Sequence, residues 1–177
     1  MLPVLIFEGH DRSGKTTIAN RLAERFDTEV FTTNSKECFT DKGAFGKDSS
    51  GIALFNYHIA SYCSSLIEHK VLNKPIIIYR SFLSEMVYSK LLGRKTFEVI
   101  NIATDIMYSR INATVILCKN NRESFNDELL DDKLIKKSVK LYDELKFDLS
   151  CDVLEIDTSE HNVELYVDNI ISYLKQK

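Results

Sequence analysis

A chain of 177 residues with 44% hydrophobic and 28% charged residues has the make-up of one soluble domain, large enough to enclose a core. Its formal net charge of −3 supplies no global positive field of the kind that holds nucleic acid non-specifically, which argues against a polynucleotide partner. No apolar run approaches the ~20 residues that span a bilayer, which excludes a membrane-spanning helix.

The N-terminus lacks a charged n-region and enters a strand-like run, so no signal peptide is expected. The cysteines Cys38, Cys63, Cys118 and Cys151 are widely separated and form no C-x-x-C pair. That spacing suggests neither a disulfide framework nor a zinc site. A cytoplasmic protein with buried free thiols is the expectation.

Leu2 to Phe7 reads as a buried strand, a short apolar run ended by glycine. From Gly14 the period changes, and Ile18, Ala19, Leu22, Ala23 and Phe26 fall on one helical face. "TEVFTT" (28–33) predicts a second strand. The segment 34–51 is polar and holds three of the six glycines. A loop this long in a compact domain is usually functional. Residues 52–72 are helical by period, with Ile52, Phe55, Ile59, Cys63, Leu66 and Ile67 in a stripe.

"IIIY" (76–79) predicts a short, fully buried strand, followed by two helices over 82–92 and 96–110 that are broken at Gly93. "ATVILC" (113–118) is a further strand, 131–149 an amphipathic helix, "DVLEI" (152–156) the last strand and 160–175 the closing helix. Strands that alternate with helices and are apolar throughout predict an α/β domain over 1–177. Its parallel sheet, of about five strands, is covered on both faces. In such sheets ligands sit beyond the carboxyl ends of the strands. The segments 9–16, 80–85, 119–128 and 157–160 should therefore surround one crevice.

Gly9-x-x-x-x-Gly14-Lys15-Thr16 fits the phosphate-binding loop of P-loop NTPases. The glycines let the backbone curl so that successive N–H groups face a phosphate. Ser13 and Thr17 flank the key positions, Lys15 reaches the terminal phosphates of ATP, and the Thr16 hydroxyl is placed to ligate Mg²⁺. The helix opening at Gly14 adds its positive dipole end. A switch GTPase should also carry an Asn-Lys-x-Asp motif, which "CKNNRE" (118–123) lacks. The chain is also too small for a motor ATPase with accessory elements. A small-molecule phosphotransferase is the class that fits.

"FEGHDRSGKTT" (7–17) resembles the thymidylate kinases, within the nucleoside monophosphate kinases, whose loop commonly reads Glu-Gly-x-Asp-Arg-x-Gly-Lys-Ser/Thr. "ALFNYHIASY" (53–62) is similar to the family helix whose phenylalanine stacks on thymine, which places Phe55 on the base. "YRSFLSEMVYS" (79–89) resembles the Asp-Arg-Tyr-x-x-Ser-x-x-x-Tyr segment, with Arg80 on the acceptor's monophosphate and Tyr88 on the sugar. The chain ending is also similar, its loop after the last strand lying near adenine.

The resemblance implies that Asp11 approaches the acceptor 3′-hydroxyl and Arg12 the transferring phosphoryl group. An arginine there is worth ~10³ to 10⁵ in rate. A lid would span 119–130, with Arg122 as its arginine. The related kinases dimerise, so the resemblance also implies a homodimer, through the exposed face of 82–110.

Three positions depart from that pattern. Tyr79 replaces an Asp that helps organise Mg²⁺, leaving Glu8, acting through water, or Glu85 as carboxylates that could compensate. After the second strand there is no Phe-Pro-x-Arg segment, so only Lys36 or Lys42 could serve the acceptor phosphate. Ile59 stands where many members carry the arginine that reads thymine, so the base is left open, with Asn56 and Tyr57 as polar candidates.

His10, His58, His69 and His161 show no ligand spacing, although His10 lies inside the loop. The expected activity is transfer of the ATP γ-phosphoryl group to a (deoxy)nucleoside monophosphate with Mg²⁺. Two other readings stand beside it. One is a kinase of a deoxynucleoside or polynucleotide hydroxyl, needing a general base such as Glu8 or Glu85. The other is a non-catalytic nucleotide-binding module of the same fold.

Overall fold

The structure is a computed structural model that describes residues 3–32, 63, 64, 66, 73–93, 98–121 and 132–177. The expected acceptor loop 34–51, Phe55, Ile59 and Arg122 lie outside the described residues, as does nearly all of the expected lid. Five strands and five α-helices are described: β1 (Val4–Glu8), α1 (Lys15–Phe26), β2 (Val30–Thr32), β3 (Ile76–Tyr79), α2 (Phe82–Leu92), α3 (Glu98–Arg110), β4 (Ala113–Lys119), α4 (Asp132–Leu145), β5 (Asp152–Asp157) and α5 (Val163–Lys175).

All four strand pairings are parallel, and the spatial order is β2-β3-β1-β4-β5. The register sets Phe7 beside both Tyr79 and Ile116. The chain leaves β1 toward one side of the sheet and later returns to build the other. The carboxyl end of β1 is thus the point where strand order reverses, and there a crevice opens between diverging connections.

The period of two along the strands sorts side chains onto two cores. Val4, Ile6, Ile76, Ile78, Val115 and Leu117 face α2 and α4, meeting Phe82, Met86, Val87, Tyr142 and Leu145. Leu5, Phe7, Ile77, Ile116 and Cys118 face α1 and α5, meeting Ile18, Leu22, Val167 and Ile170. Burying such side chains stabilises by about 1.5–3 kcal/mol each. The same parity decides the polar ends. Glu8 continues the Val4–Ile6 face toward α2 and α4, whereas Tyr79 continues the Ile77 face toward α1.

Differences from the sequence reading have local causes. The strand β5 is apolar in part only, with Asp152, Glu155 and Asp157 exposed, because among the described strands it is a sheet edge, paired on one side alone. The β4 strand runs on through Lys119, which is therefore strand and not lid. The helix expected over 131–149 ends at Leu145 and tightens into a 3₁₀ turn at Lys146–Asp148. The closing helix begins later than expected because the Asn162 side chain caps it, accepting a bond from the Leu165 N–H at 3.1 Å.

Among the described cysteines all three are free thiols; Cys118 is buried, Cys151 half-buried. Cys63 is exposed, contrary to the buried reading; among the described residues of that stripe it is Leu66 that packs against the core. No helix among the described residues is long and apolar enough to cross a membrane.

Candidate active site

The connection from β1 to α1 makes a tight curl at the carboxyl end of β1. Gly9 has φ of 135° there, and a Cβ built on it would lie 2.2 Å from the Cys118 carbonyl oxygen. Gly14 and Arg12 also take left-handed backbone, at φ 78° and 65°. Glycine adopts that region freely, whereas an arginine must be held in it. Residues 11–17 and Tyr79 line a cavity of about 410 Å³. All the residues read from sequence as the ATP phosphate-binding loop therefore wall one cavity, except Gly9, which supports it from the β4 side.

Within the curl the Lys15 ammonium donates to the His10 carbonyl at 2.5 Å and to Ser13 Oγ at 3.1 Å. It is almost fully enclosed. Burial, followed by the repulsion of Arg80, pushes its pKa down to about 7. Thr16, Thr17 and Arg12 are exposed at the cavity wall. Tyr79 presents its ring to two cations, with Lys15 Nζ 6.0 Å and the Arg80 guanidinium 5.7 Å from its centroid.

The connection from β3 to α2 brings Arg80 to Asp11, and α2 itself brings Tyr88. Arg80 Nη2 donates to Asp11 Oδ1, and the Tyr88 hydroxyl donates to Asp11 Oδ2 at 2.6 Å. The guanidinium also lies 5.2 Å from the Tyr88 ring and donates to Ser84 Oγ at 3.2 Å. Arg80 itself has φ of 60°, and its N–H donates to the Phe7 carbonyl at 3.0 Å. That strained residue turns the chain out of the sheet so that its side chain reaches back across the end of β1. Asp11, Arg80 and Tyr88, read separately from sequence, thus form one hydrogen-bonded cluster.

The two carboxylates weighed as substitutes for an aspartate at Tyr79 are otherwise engaged. Glu8 is fully buried and accepts from the Ser81 N–H at 2.8 Å, from Ser84 Oγ at 2.5 Å and from Tyr142 at 3.4 Å. Burial pushes its pKa up. Glu85 is also buried and accepts from Ser89 Oγ at 2.5 Å. Neither lines the cavity, where Asp11 is the one carboxylate among the described residues.

Motif matching does not find the residues that fasten the loop. His10 is buried, and its Nε2 accepts from the Asn120 N–H at 3.0 Å while Nδ1 meets the Asp11 carbonyl at 2.7 Å. Thr158 Oγ1 lies 2.9 Å from the Ser13 carbonyl and 2.8 Å from that of Lys119. The available signal is topological: 119–128 and 157–160 follow the carboxyl ends of β4 and β5, which meet at the crevice.

No curated protein matches the chain in sequence. Solved structures do match it in fold along nearly its whole length. Thymidylate kinase from Ehrlichia chaffeensis superposes with a TM-score of 0.68 at 15% identity, over 97% of this chain and 98% of that one. The YorR protein of Bacillus subtilis, solved with phosphorylated GDP, gives 0.66 at 20% identity over 97% and 95%. Deoxyadenosine kinase from M. mycoides, solved with dCMP and dCDP, gives 0.63 at 17% identity over 98% and 99%. These likenesses agree with the all-parallel five-stranded sheet and the P-loop NTPase fold. A family model described as an AAA domain matches residues 5–157. That span runs from β1 through β5 and includes the phosphate loop, so the chain belongs to the AAA domain family AAA_28.

Proposed function

We propose that this protein transfers the γ-phosphoryl group of ATP to a (deoxy)nucleoside monophosphate, in the manner of a thymidylate kinase. The observation that carries the reading is the Asp11–Arg80–Tyr88 cluster beside the phosphate loop. A loop alone binds a triphosphate. A second cation and two hydrogen-bonding groups at its flank provide for an acceptor.

In this reading the loop N–H groups and Lys15 hold the donor phosphates, and Arg12 reaches the group in flight. Arg80 takes the acceptor phosphate, while Asp11 and Tyr88 hold the sugar. Phe55 would stack on the base and Arg122 would close from the lid. Phosphoryl transfer of this kind rests on positioning and electrostatics and forms no covalent enzyme intermediate. Mg²⁺ would neutralise charge on the β- and γ-phosphates. The residues present fit it in a limited way. Thr16 offers an exposed hydroxyl in the cavity wall, and Mg²⁺ usually takes few protein ligands beside phosphates and water. Among the described residues no cluster of three His, Cys, Asp or Glu could hold a metal without the nucleotide.

A second reading is favoured by one fact: Asp11 is the carboxylate in the cavity wall and could act as base toward a nucleoside hydroxyl. Its geometry weighs against this, since Arg80 and Tyr88 already donate to its two carboxylate oxygens. A phosphate acceptor is already anionic and needs no base. ADP release from ATP, followed with a panel of nucleoside monophosphates and nucleosides, separates the readings. Turnover with monophosphates supports the proposal, and turnover with nucleosides alone supports the hydroxyl acceptor. Turnover with neither, in a chain that still binds ATP, leaves a nucleotide-binding module.

A further inference from the structure

We infer that His10 is a positioning residue, whose neutral imidazole, protonated on Nδ1, ties the phosphate loop to the exit of β4 and fixes where Asp11 sits. The inference rests on the proposed phosphotransfer for its kinetic consequences only. The geometry behind it stands on its own.

The tautomer follows from the partners. The Asn120 backbone N–H can only donate, so the Nε2 atom 3.0 Å away must be the unprotonated nitrogen. The ring proton then sits on Nδ1 and is donated to the Asp11 carbonyl at 2.7 Å. Both ring nitrogens are used, one on a backbone group of the loop and the other on a backbone group beyond β4. The His10 carbonyl is used as well, since Lys15 donates to it at 2.5 Å. One residue therefore touches the peptide that carries Asp11, the loop lysine and the first residue beyond β4.

These attachments matter because the loop holds costly backbone. Gly9 and Arg12 on either side are in the left-handed region, and such conformations persist only where neighbours impose them. An aliphatic side chain could fill the same volume at position 10. It would leave the Asn120 N–H and the Asp11 carbonyl without these two bonds to the ring. The Asp11 carboxylate would then lose its register with Arg80 and Tyr88.

The test compares the wild type with His10→Leu and His10→Asn. Asparagine places an amide donor where Nδ1 stands and so restores the bond to the Asp11 carbonyl. Nitrogen-15 spectra of the wild type should show the Nδ1-protonated tautomer; the Nε2-protonated form would overturn the inference. His10→Leu should lower kcat by up to about 100-fold, as expected when reacting groups are misplaced, and weaken ATP binding less. His10→Asn should recover most of the lost kcat, a rescue that a space-filling role would not give. Wild-type kcat in His10→Leu, or equal loss in both variants, would overturn the inference. If the wild type phosphorylates no monophosphate, the proposed function fails. The tautomer, with ATP affinity lowered in His10→Leu and recovered in His10→Asn, then decides the inference alone.

Discussion

Asp11 and Arg80 are 69 positions apart in the chain and meet as an ion pair between the phosphate loop and the end of β3. Neither is fully enclosed: their side chains keep 30% and 17% of their exposure. The pair is thus reachable by a ligand yet partly withdrawn from water, where a charge contact gains strength. Tyr88 completes it from α2 by donating to the second Asp11 oxygen. An acceptor phosphate arriving at Arg80 must compete with, or rearrange around, the Asp11 carboxylate.

That competition gives the first prediction. Arg80→Ala should cut kcat/KM for the monophosphate by about 100-fold or more, the loss expected for a charged partner of phosphate. ATP affinity, measured calorimetrically, should change little. Asp11→Asn keeps an acceptor for Tyr88 but removes the competing charge. Its KM for the monophosphate should hold or fall while kcat drops. A raised KM with unchanged kcat would remove Asp11 from the transfer step and leave it as a binding group.

Gly9 supplies the second. Its φ of 135° is a conformation that residues with a side chain rarely adopt, and a Cβ would lie 2.2 Å from the Cys118 carbonyl oxygen. The obstacle is backbone of β4 in the middle of the sheet, which cannot swing aside. Gly9→Ala should therefore lose more than about 3 kcal/mol of stability and most ATP binding. Gly93 is a useful contrast. It has positive φ but no atom of the described residues within 4 Å of its would-be Cβ, so Gly93→Ala should cost about 1 kcal/mol. Chemical denaturation of both variants checks the ordering.

The difference between these two glycines shows what the sequence makes legible. The spacing from Gly9 to Thr16 between an apolar run and a helical period exposes the loop, because only such a turn needs glycine at both points. The five strands are legible for a related reason: buried parallel strands are apolar on both faces. The edge strand β5 departs from that rule because the sheet stops there. Polar attachments leave no such trace. His10, Asn120 and Thr158 act through backbone groups of distant segments, and any polar residue at those positions looks the same in sequence. The engagement of Glu8 is likewise hidden until strand parity places it on the face opposite α1.

Tyr79 carries the third prediction. It lines the cavity and faces Lys15 and Arg80 with an aromatic ring where the resembling kinases have a carboxylate. Tyr79→Asp places a carboxylate on the α1 side of the sheet, beside the Thr16 hydroxyl in the same wall. Turnover should rise, and the Mg²⁺ concentration for half-maximal rate should fall. The ring contacts being lost are worth only about 0.5–2 kcal/mol, so the fold should persist. Lower turnover with an unchanged Mg²⁺ requirement would show instead that the ring is needed for the chemistry.

Lys15 gives the last prediction, and its sign follows from where it is buried. Enclosure and the nearby Arg80 hold its pKa down to about 7 in the absence of nucleotide. Well above that pH it is largely neutral, yet the ATP phosphates need its charge. Binding must then bring a proton in with the nucleotide. Calorimetry of MgATP binding at pH 8, in buffers of different ionisation enthalpy, should show net uptake approaching one proton, and affinity should fall as pH rises further. The unfolded chain, whose lysine holds its proton to about 10.5, binds more protons than the native state between roughly pH 7 and 10.5. Through this group native stability should rise with pH across that window. MgATP binding at pH 8 without proton uptake would mean that Lys15 is already charged in the empty loop, its burial offset by its neighbours.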